Sequence, residues 1–173
     1  MSEVIAYFGV SLDGYLATVD ESVEWLETVE GEGDNGYGDF YQSIGTVLMG
    51  RTTYDWIAER MQPFPYPDKT NYVFTSRQAD EQDTVKFVNS SADAFVSDLK
   101  LQSSRDIWLC GGGTLFSSLL KAGLIDQIRV TLAPVILGQG ISLYQDLVES
   151  QDLQLLEMRR HGQFVELMYK VEK

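Results

Sequence analysis

The sequence predicts an α/β fold: a single three-layer domain over residues 1–173, built on a mixed, mostly parallel twisted sheet with an antiparallel C-terminal hairpin. Three observations predict it. Short β-branched and aromatic runs alternate with stretches of helical period, the order that sets parallel strands between helices. Three of these runs pass straight into a Gly-, Thr- or Ser-containing turn. The last two apolar runs are separated only by His161-Gly162, a hairpin signal.

In chain order, residues 4–10 (VIAYFGV) read as a strand buried on both faces, closed by the turn Ser11-Leu12-Asp13-Gly14. Residues 20–29 carry Val23, Trp25, Leu26 and Val29 at helical spacing. Residues 31–38 are glycine- and acid-rich, as in a mobile loop. A brief helix is expected over 39–44, a strand over 46–49, and a helix opened by Gly50 through Tyr54, Trp56 and Ile57. Pro63, Pro65 and Pro67 interrupt the pattern. Strands follow at 71–74 and 85–88, then a helix at 92–101 with Phe95, Val96 and Leu99 on one face. Residues 106–110 form a strand. Leu115, Phe116, Leu119 and Leu120 are the stripe of the next helix, which Lys121 suits at its carboxyl end and Gly123 stops. Ile128, Val130 and Leu132 alternate as a strand, and the hairpin spans 153–160 and 164–171.

Composition narrows the function classes. A chain of 173 residues, 44% hydrophobic and 12% aromatic, is long enough for one sizeable core. Its 13 Lys+Arg against 26 Asp+Glu give a net charge of −13, a field that repels nucleic acid and anionic membrane, so neither partner is expected. The lone cysteine, Cys110, excludes an internal disulfide and argues against a zinc site; no metal is expected. It ends an apolar strand and reads as core, since nothing beside it would lower its pKa. With no charged-then-apolar leader and no long apolar span, a soluble cytoplasmic protein is expected.

The chemistry concentrates at three junctions. One strand leads to Gly50-Arg51-Thr52-Thr53, another to Thr75-Ser76-Arg77, a third to Gly111-Gly112-Gly113-Thr114. In open α/β sheets, ligands bind beyond the carboxyl ends of the strands, where helix amino ends offer N–H groups to anions. Two arginines in so acidic a chain, with several hydroxyls, suit a ligand with more than one phosphate. Each feature also has a plain reading: the glycines as a tight turn needing positive φ, the arginines as surface charges, Thr52 and Thr53 as helix caps. The third glycine of the G-x-G-x-x-G pattern is missing, as is a P-loop lysine.

The pieces "SLDGYLA" (11–17), "VLMGRTTYDW" (47–56), "NYVFTSR" (71–77), "IWLCGGGTLFSSLL" (107–120) and "VTLAPVILGQGISLY" (130–144) together resemble the dihydrofolate reductase fold. They are most similar to the C-terminal reductase domain of riboflavin-biosynthesis deaminase–reductase enzymes. That resemblance implies NADPH as cofactor. It implies that Gly50, Arg51, Thr52 and Thr53 hold the adenosine-side phosphates, with Thr75, Ser76 and Arg77 as the second wall. Gly111, Gly112, Gly113, Thr114 and Leu115 would cradle the pyrophosphate across a Gly-Gly bond that is often cis in such proteins. Ala6, Leu16 and Ala17 would form the nicotinamide floor. A carboxylate that manages the proton falls to Asp39 first and Asp34 second, with a plain solvated acid in a loop acidic throughout as the other reading; Trp25 either stacks on the substrate or packs its short helix onto the core. The implied activity is reduction of a pyrimidine- or pterin-like heterocycle, of the 5-amino-6-(5-phosphoribosylamino)uracil reductase type, by a homodimer paired through its C-terminal segment. Another dihydrofolate reductase-like substrate, or NADPH binding without turnover, stays open.

Overall fold

The computed structural model describes all residues, Met1–Lys173. The element at its centre is β1 (Val4–Ser11), parallel to both of its neighbours, β6 (Asp106–Gly111) and β7 (Gln127–Ala133). Outward from β6 lie β3 (Ile44–Gly50), β4 (Thr70–Phe74) and β5 (Val85–Val88), all parallel. Beyond β7 the sheet turns antiparallel with β10 (Phe164–Val171) and ends at β9 (Leu153–His161). The eight-stranded order is β5-β4-β3-β6-β1-β7-β10-β9.

Strand alternation makes two cores. Val4, Ala6, Phe8 and Val10 of β1 enter one buried cluster, and Ile5 enters the other. The first cluster is roofed by α4 (Ala92–Gln102) and α5 (Gly113–Lys121), with Val96, Phe116 and Leu119 fully buried. Phe116 meets Phe8 edge to face, ring centroids 5.4 Å apart. The second is covered by α2 (Tyr37–Ser43) and α3 (Arg51–Arg60) through Phe40, Tyr54 and Ile57. Helix, sheet and helix are the three layers. No helix is long and apolar enough to cross a membrane.

Three segments differ from the sequence reading. The stretch 20–29 yields only α1 (Glu24–Glu27), with none of its residues buried. The chain is diverted just before it: Thr18 Oγ1 accepts the Ser22 N–H at 3.0 Å, and Glu21 is turned to φ 63°. The glycine-rich stretch is tied down instead of loose. Asp34 accepts N–H groups from Gly36 and Gly38 at 2.9 and 2.8 Å, Asn35 accepts that of Glu32 at 2.8 Å, and α2 starts two residues earlier than expected. A second small sheet also forms, β2 (Tyr15–Ala17) against β8 (Ile141–Ser142). Asp13 locks this pair in place by accepting the N–H groups of Leu137 (3.1 Å) and Gly138 (2.8 Å).

Candidate active site

Strands β3 and β6 are neighbours, so the helices that follow them begin side by side. Gly50 precedes α3 and Gly112 precedes α5, both in extended conformation, and neither helix has a side-chain cap. Their first-turn N–H groups have no helical partner, and the positive end of each helix dipole is open to an anion. Thr52 and Thr53 lie inside the first turn of α3 and do not cap it.

The three glycines serve close approach. None of Gly111, Gly112 and Gly113 is among the positive-φ residues. A Cβ on Gly111 would lie 3.0 Å from Thr53, and one on Gly113 would lie 2.7 Å from Gln145 Nε2 and 2.9 Å from the Ser142 carbonyl. The turn reading therefore gives way: lack of side chains lets the end of β6 press against α3 and the start of α5 press against β8 and the residues after it. The Gly111-Gly112 bond is cis.

A cavity of about 880 Å³ opens at this rim. The α3 junction contributes Gly50, Arg51, Thr52 and Thr53, and the α5 junction contributes Gly111 through Leu115. Leu16 and Ala17 of β2 form another wall, with Tyr7, Phe8 and Gly9 of β1 beside them. Ala6, expected at the floor, is corrected by the burial: it has no exposed surface and packs in the first core cluster, while the residues after it reach the cavity.

Arg51 and the third junction meet through one carboxylate. Asp55 accepts Arg51 Nε at 2.8 Å and Arg77 Nη2 at 3.1 Å. Arg51 also lies over the Phe87 ring at 5.2 Å, and its Nη1 is buried with no partner. A buried guanidinium nitrogen left without an acceptor is costly. Thr75, Ser76 and Arg77 do not themselves line the cavity; Arg77 stands at its rim, 65% exposed, joined to Arg51 only through Asp55.

A smaller cavity of about 240 Å³ adjoins the first, sharing Tyr7, Phe8, Gly9 and Trp108 and adding Asp34, Asn35, Tyr37 and Thr131. Of the two carboxylates named as proton managers, Asp34 lines this small cavity, with both oxygens occupied by N–H groups of its own loop. Asp39 is a correction: it is exposed on α2 and lines neither cavity. Trp25 is another. Its indole donates to the Ser22 carbonyl at 3.2 Å and it lines neither cavity, whereas Val23 and Leu26 beside it line the large one.

Residues missed by sequence reasoning have clear placements. Glu21 is the acid of the large cavity, held there by its positive φ and by its carbonyl, which accepts Trp56 Nε1 at 2.9 Å. Nothing in the sequence separates it from Asp20 or Glu24. Tyr7 and Tyr37 had a usable signal, an aromatic midway along a central strand and another at a helix start. Burial raises the Tyr7 phenol above its ordinary value, although the Thr131 hydroxyl at 3.3 Å pulls the other way. Burial pushes Tyr37 up to about 12 and the Cys110 thiol up to about 11. At neutral pH all three keep their protons, so the cavity walls present phenol donors and no thiolate. His161, assigned no role from sequence, sits at the hairpin tip with Nε2 3.2 Å from the buried Glu166 carboxylate.

Known proteins resemble this chain in sequence and fold. A family model described as the RibD C-terminal domain matches residues 2–167. The uncharacterized protein YwjB of Bacillus subtilis (strain 168) is 44% identical over 168 residues, covering 96% of this chain and 97% of that one. The crystal structure of a candidate riboflavin biosynthesis protein from Shewanella sp. PV-4 superposes with a TM-score of 0.90 at 24% identity, covering 99% of both chains. Dihydrofolate reductase from Enterococcus faecalis, solved with NADP(H), superposes with a TM-score of 0.67 at 14% identity, covering 99% of this chain and 97% of that one. The last two likenesses establish a dihydrofolate reductase-like fold. With the match running almost from end to end, the chain belongs to the RibD C-terminal domain family.

Proposed function

We propose that the chain is an NADPH-dependent reductase of a small pyrimidine- or pterin-like heterocycle, carrying out the type of reaction of 5-amino-6-(5-phosphoribosylamino)uracil reductases, in the cytoplasm. The observation that carries this reading is one cavity bounded by two uncapped helix amino ends, a glycine triplet and an arginine with an unpartnered buried nitrogen. The family supports the reaction class, and the solved dihydrofolate reductase with NADP(H) supports the cofactor.

The residues present fit that cofactor. The amino ends of α3 and α5 would hold its diphosphate through backbone N–H groups, which Gly111, Gly112 and Gly113 leave bare. Arg51, oriented by Asp55 and seconded by Arg77, would hold the 2′-phosphate. Leu16 and Ala17 would take the nicotinamide end. When bound, NADPH supplies a hydride to an electrophilic carbon. The chain orients the acceptor between Tyr7 and Trp108, keeps water out with Leu26 and Val23, and offers O–H donors at Tyr7 and Tyr37 for the adjoining heteroatom. We propose further that two copies pair along the open edge of β9.

The test is a titration with NADPH followed by a panel of reducible pyrimidines and pterins, read by loss of dihydronicotinamide absorbance. Saturable binding with substrate-dependent consumption is the expected result. Absence of NADPH binding overturns the reading; binding with no consumption across the panel reduces it to a cofactor-binding protein.

A further inference from the structure

We infer that Glu166 and His161 serve the reaction as positioning residues: with Tyr7 they form a proton path from the surface at the hairpin tip to the cavity wall. The inference rests on the reductase reading and says how its phenol donor at Tyr7 is recharged between turnovers.

The sheet sets the path. Tyr7 pairs with Arg129 across β1 and β7, and Thr131 pairs with Glu166 across β7 and β10. Side chains of paired residues, and of residues two apart on one strand, share a face. These four therefore stand together, joined by His161, whose partner Phe164 is two residues from Glu166. Phe40 of α2 covers this face, its ring 4.7 Å from that of Tyr7 and 5.3 Å from the Arg129 guanidinium.

At the inner end, Tyr7 lines both cavities, and its hydroxyl oxygen accepts the Thr131 hydroxyl at 3.3 Å. The phenol's own proton is not spent on that bond. In the middle, Glu166 is buried and lines neither cavity. At the outer end, His161 Nε2 stands 3.2 Å from the Glu166 carboxylate, and the imidazole is 15% exposed. The tip is fixed in place: Gln163 donates its N–H to the Glu30 carbonyl at 2.8 Å, and a Cβ on Gly36 would lie 3.5 Å from the His161 ring.

A buried carboxylate–imidazole pair does little for stability, since desolvation offsets its attraction. Its continuity with a cavity phenol gives it a use. The surroundings act on that phenol in opposing ways: burial raises it most and Glu166 adds to that, while the Thr131 hydroxyl and the Arg129 guanidinium lower it. The first two keep the proton on Tyr7 between turnovers, and the second two ease the phenolate formed when it leaves. The other charged or titratable groups around the path are Arg159 and Glu157 of β9, paired at 2.6 Å, Asp39 of α2 near Arg159, and Asp34 and Tyr37 on the cavity side.

As hydride adds to the electrophilic carbon, the π pair of its C=N or C=O bond moves onto the heteroatom, which takes the Tyr7 proton. A proton then passes from His161 through the Glu166 carboxylate to the phenolate, and His161 takes its replacement from water. Each turnover adds one hydride from NADPH and one proton from solvent to the product, and the three side chains return to their starting states.

The test follows NADPH consumption by full-length protein, in single turnovers and in the steady state. The probes are a pyrimidine and pterin panel that includes 5-amino-6-(5-phosphoribosylamino)uracil and dihydrofolate. Wild type is compared with Tyr7→Phe, Glu166→Gln and His161→Gln, the two glutamines keeping shape and hydrogen bonding. Both should leave the first turnover within about twofold, because Tyr7 starts protonated, and slow the steady state about tenfold or more. They should also show a larger solvent deuterium effect on kcat than the wild type. Tyr7→Phe should slow the first turnover itself. Where Glu166→Gln does not fold, His161→Gln, at the exposed end, carries the comparison. A wild-type steady state in His161→Gln, a first turnover that falls as far as the steady state, or an unimpaired Tyr7→Phe overturns the path and leaves the reductase reading standing. A wild type that consumes no NADPH with any probe overturns that reading and the path with it.

Discussion

Thr53 lies so close to Gly111 that a Cβ on the glycine would stand 3.0 Å from both its Cγ2 and its Oγ1. This contact joins the first turn of α3 to the end of β6 and so draws two of the strand-to-helix junctions into one cavity. Gly111→Ala should overpack it, costing about 1–3 kcal/mol in denaturant unfolding. Thr53→Ala in the same chain should recover part of that loss, giving a coupling of about 0.5 kcal/mol or more in the double-mutant cycle. Strict additivity would show that the two residues do not press on each other.

Lys100 and Asp126 form a second, structural linkage. The ammonium is buried and donates to the Asp126 carboxylate, which also accepts the Val4 N–H at 2.8 Å and Lys173 Nζ at 2.8 Å. Burial by itself would raise this carboxyl, but the hydrogen bonds from Lys100, Lys173 and Val4 outweigh it and hold it below its ordinary 3.8. The contribution is therefore fully present above the unfolded value and is lost as pH falls below 3.8 toward the lower folded value. Asp126→Ala should destabilise by about 3 kcal/mol at neutral pH, because it strands a buried ammonium. Its unfolding free energy should also fall less steeply than that of the wild type below pH 4 or so. Parallel acid limbs would remove this role.

Much of the fold was legible because buried strands and their junctions are written locally. The run from Val4 to Val10, the Gly50-Arg51 step and the glycine triplet each announce a strand end whatever surrounds them. The site's acid was not legible. Glu21 enters the cavity through a backbone turn set by Thr18, and Asp39 leaves it because α2 presents Phe40 to the core instead. Trp25 and Leu26 are adjacent and both bulky, and nothing local in the sequence says that Leu26 is the one that reaches the cavity. The small cavity joins β1, β6, β7 and the 34–37 segment, a convergence with no local signature.

The edge strand β9 bears on assembly. Eight of its nine residues are exposed, with Leu153, Leu155, Leu156 and Met158 among them, and nothing covers its outer hydrogen-bonding groups. Two copies pairing antiparallel about Met158 would set Glu157 of each opposite Arg159 of the other, a complementary register. Sedimentation should then report a dimer, and Leu156→Glu with Met158→Lys should yield a folded monomer. A monomeric wild type at micromolar concentration would contradict this pairing.

The account depends above all on Arg51 meeting a phosphate inside the cavity. The direct measurement is the dissociation constant of NADPH and of NADH for the wild type, Arg51→Ala, Arg77→Ala and the exposed control Lys121→Ala. Wild-type protein should prefer NADPH. Arg51→Ala should lose about 1.5–3 kcal/mol of NADPH binding and little of NADH binding. Arg77→Ala, on an exposed side chain, should lose under about 1 kcal/mol, and Lys121→Ala should lose nothing measurable. Equal affinity for the two cofactors, or an Arg51→Ala variant that binds NADPH like the wild type, would contradict the account.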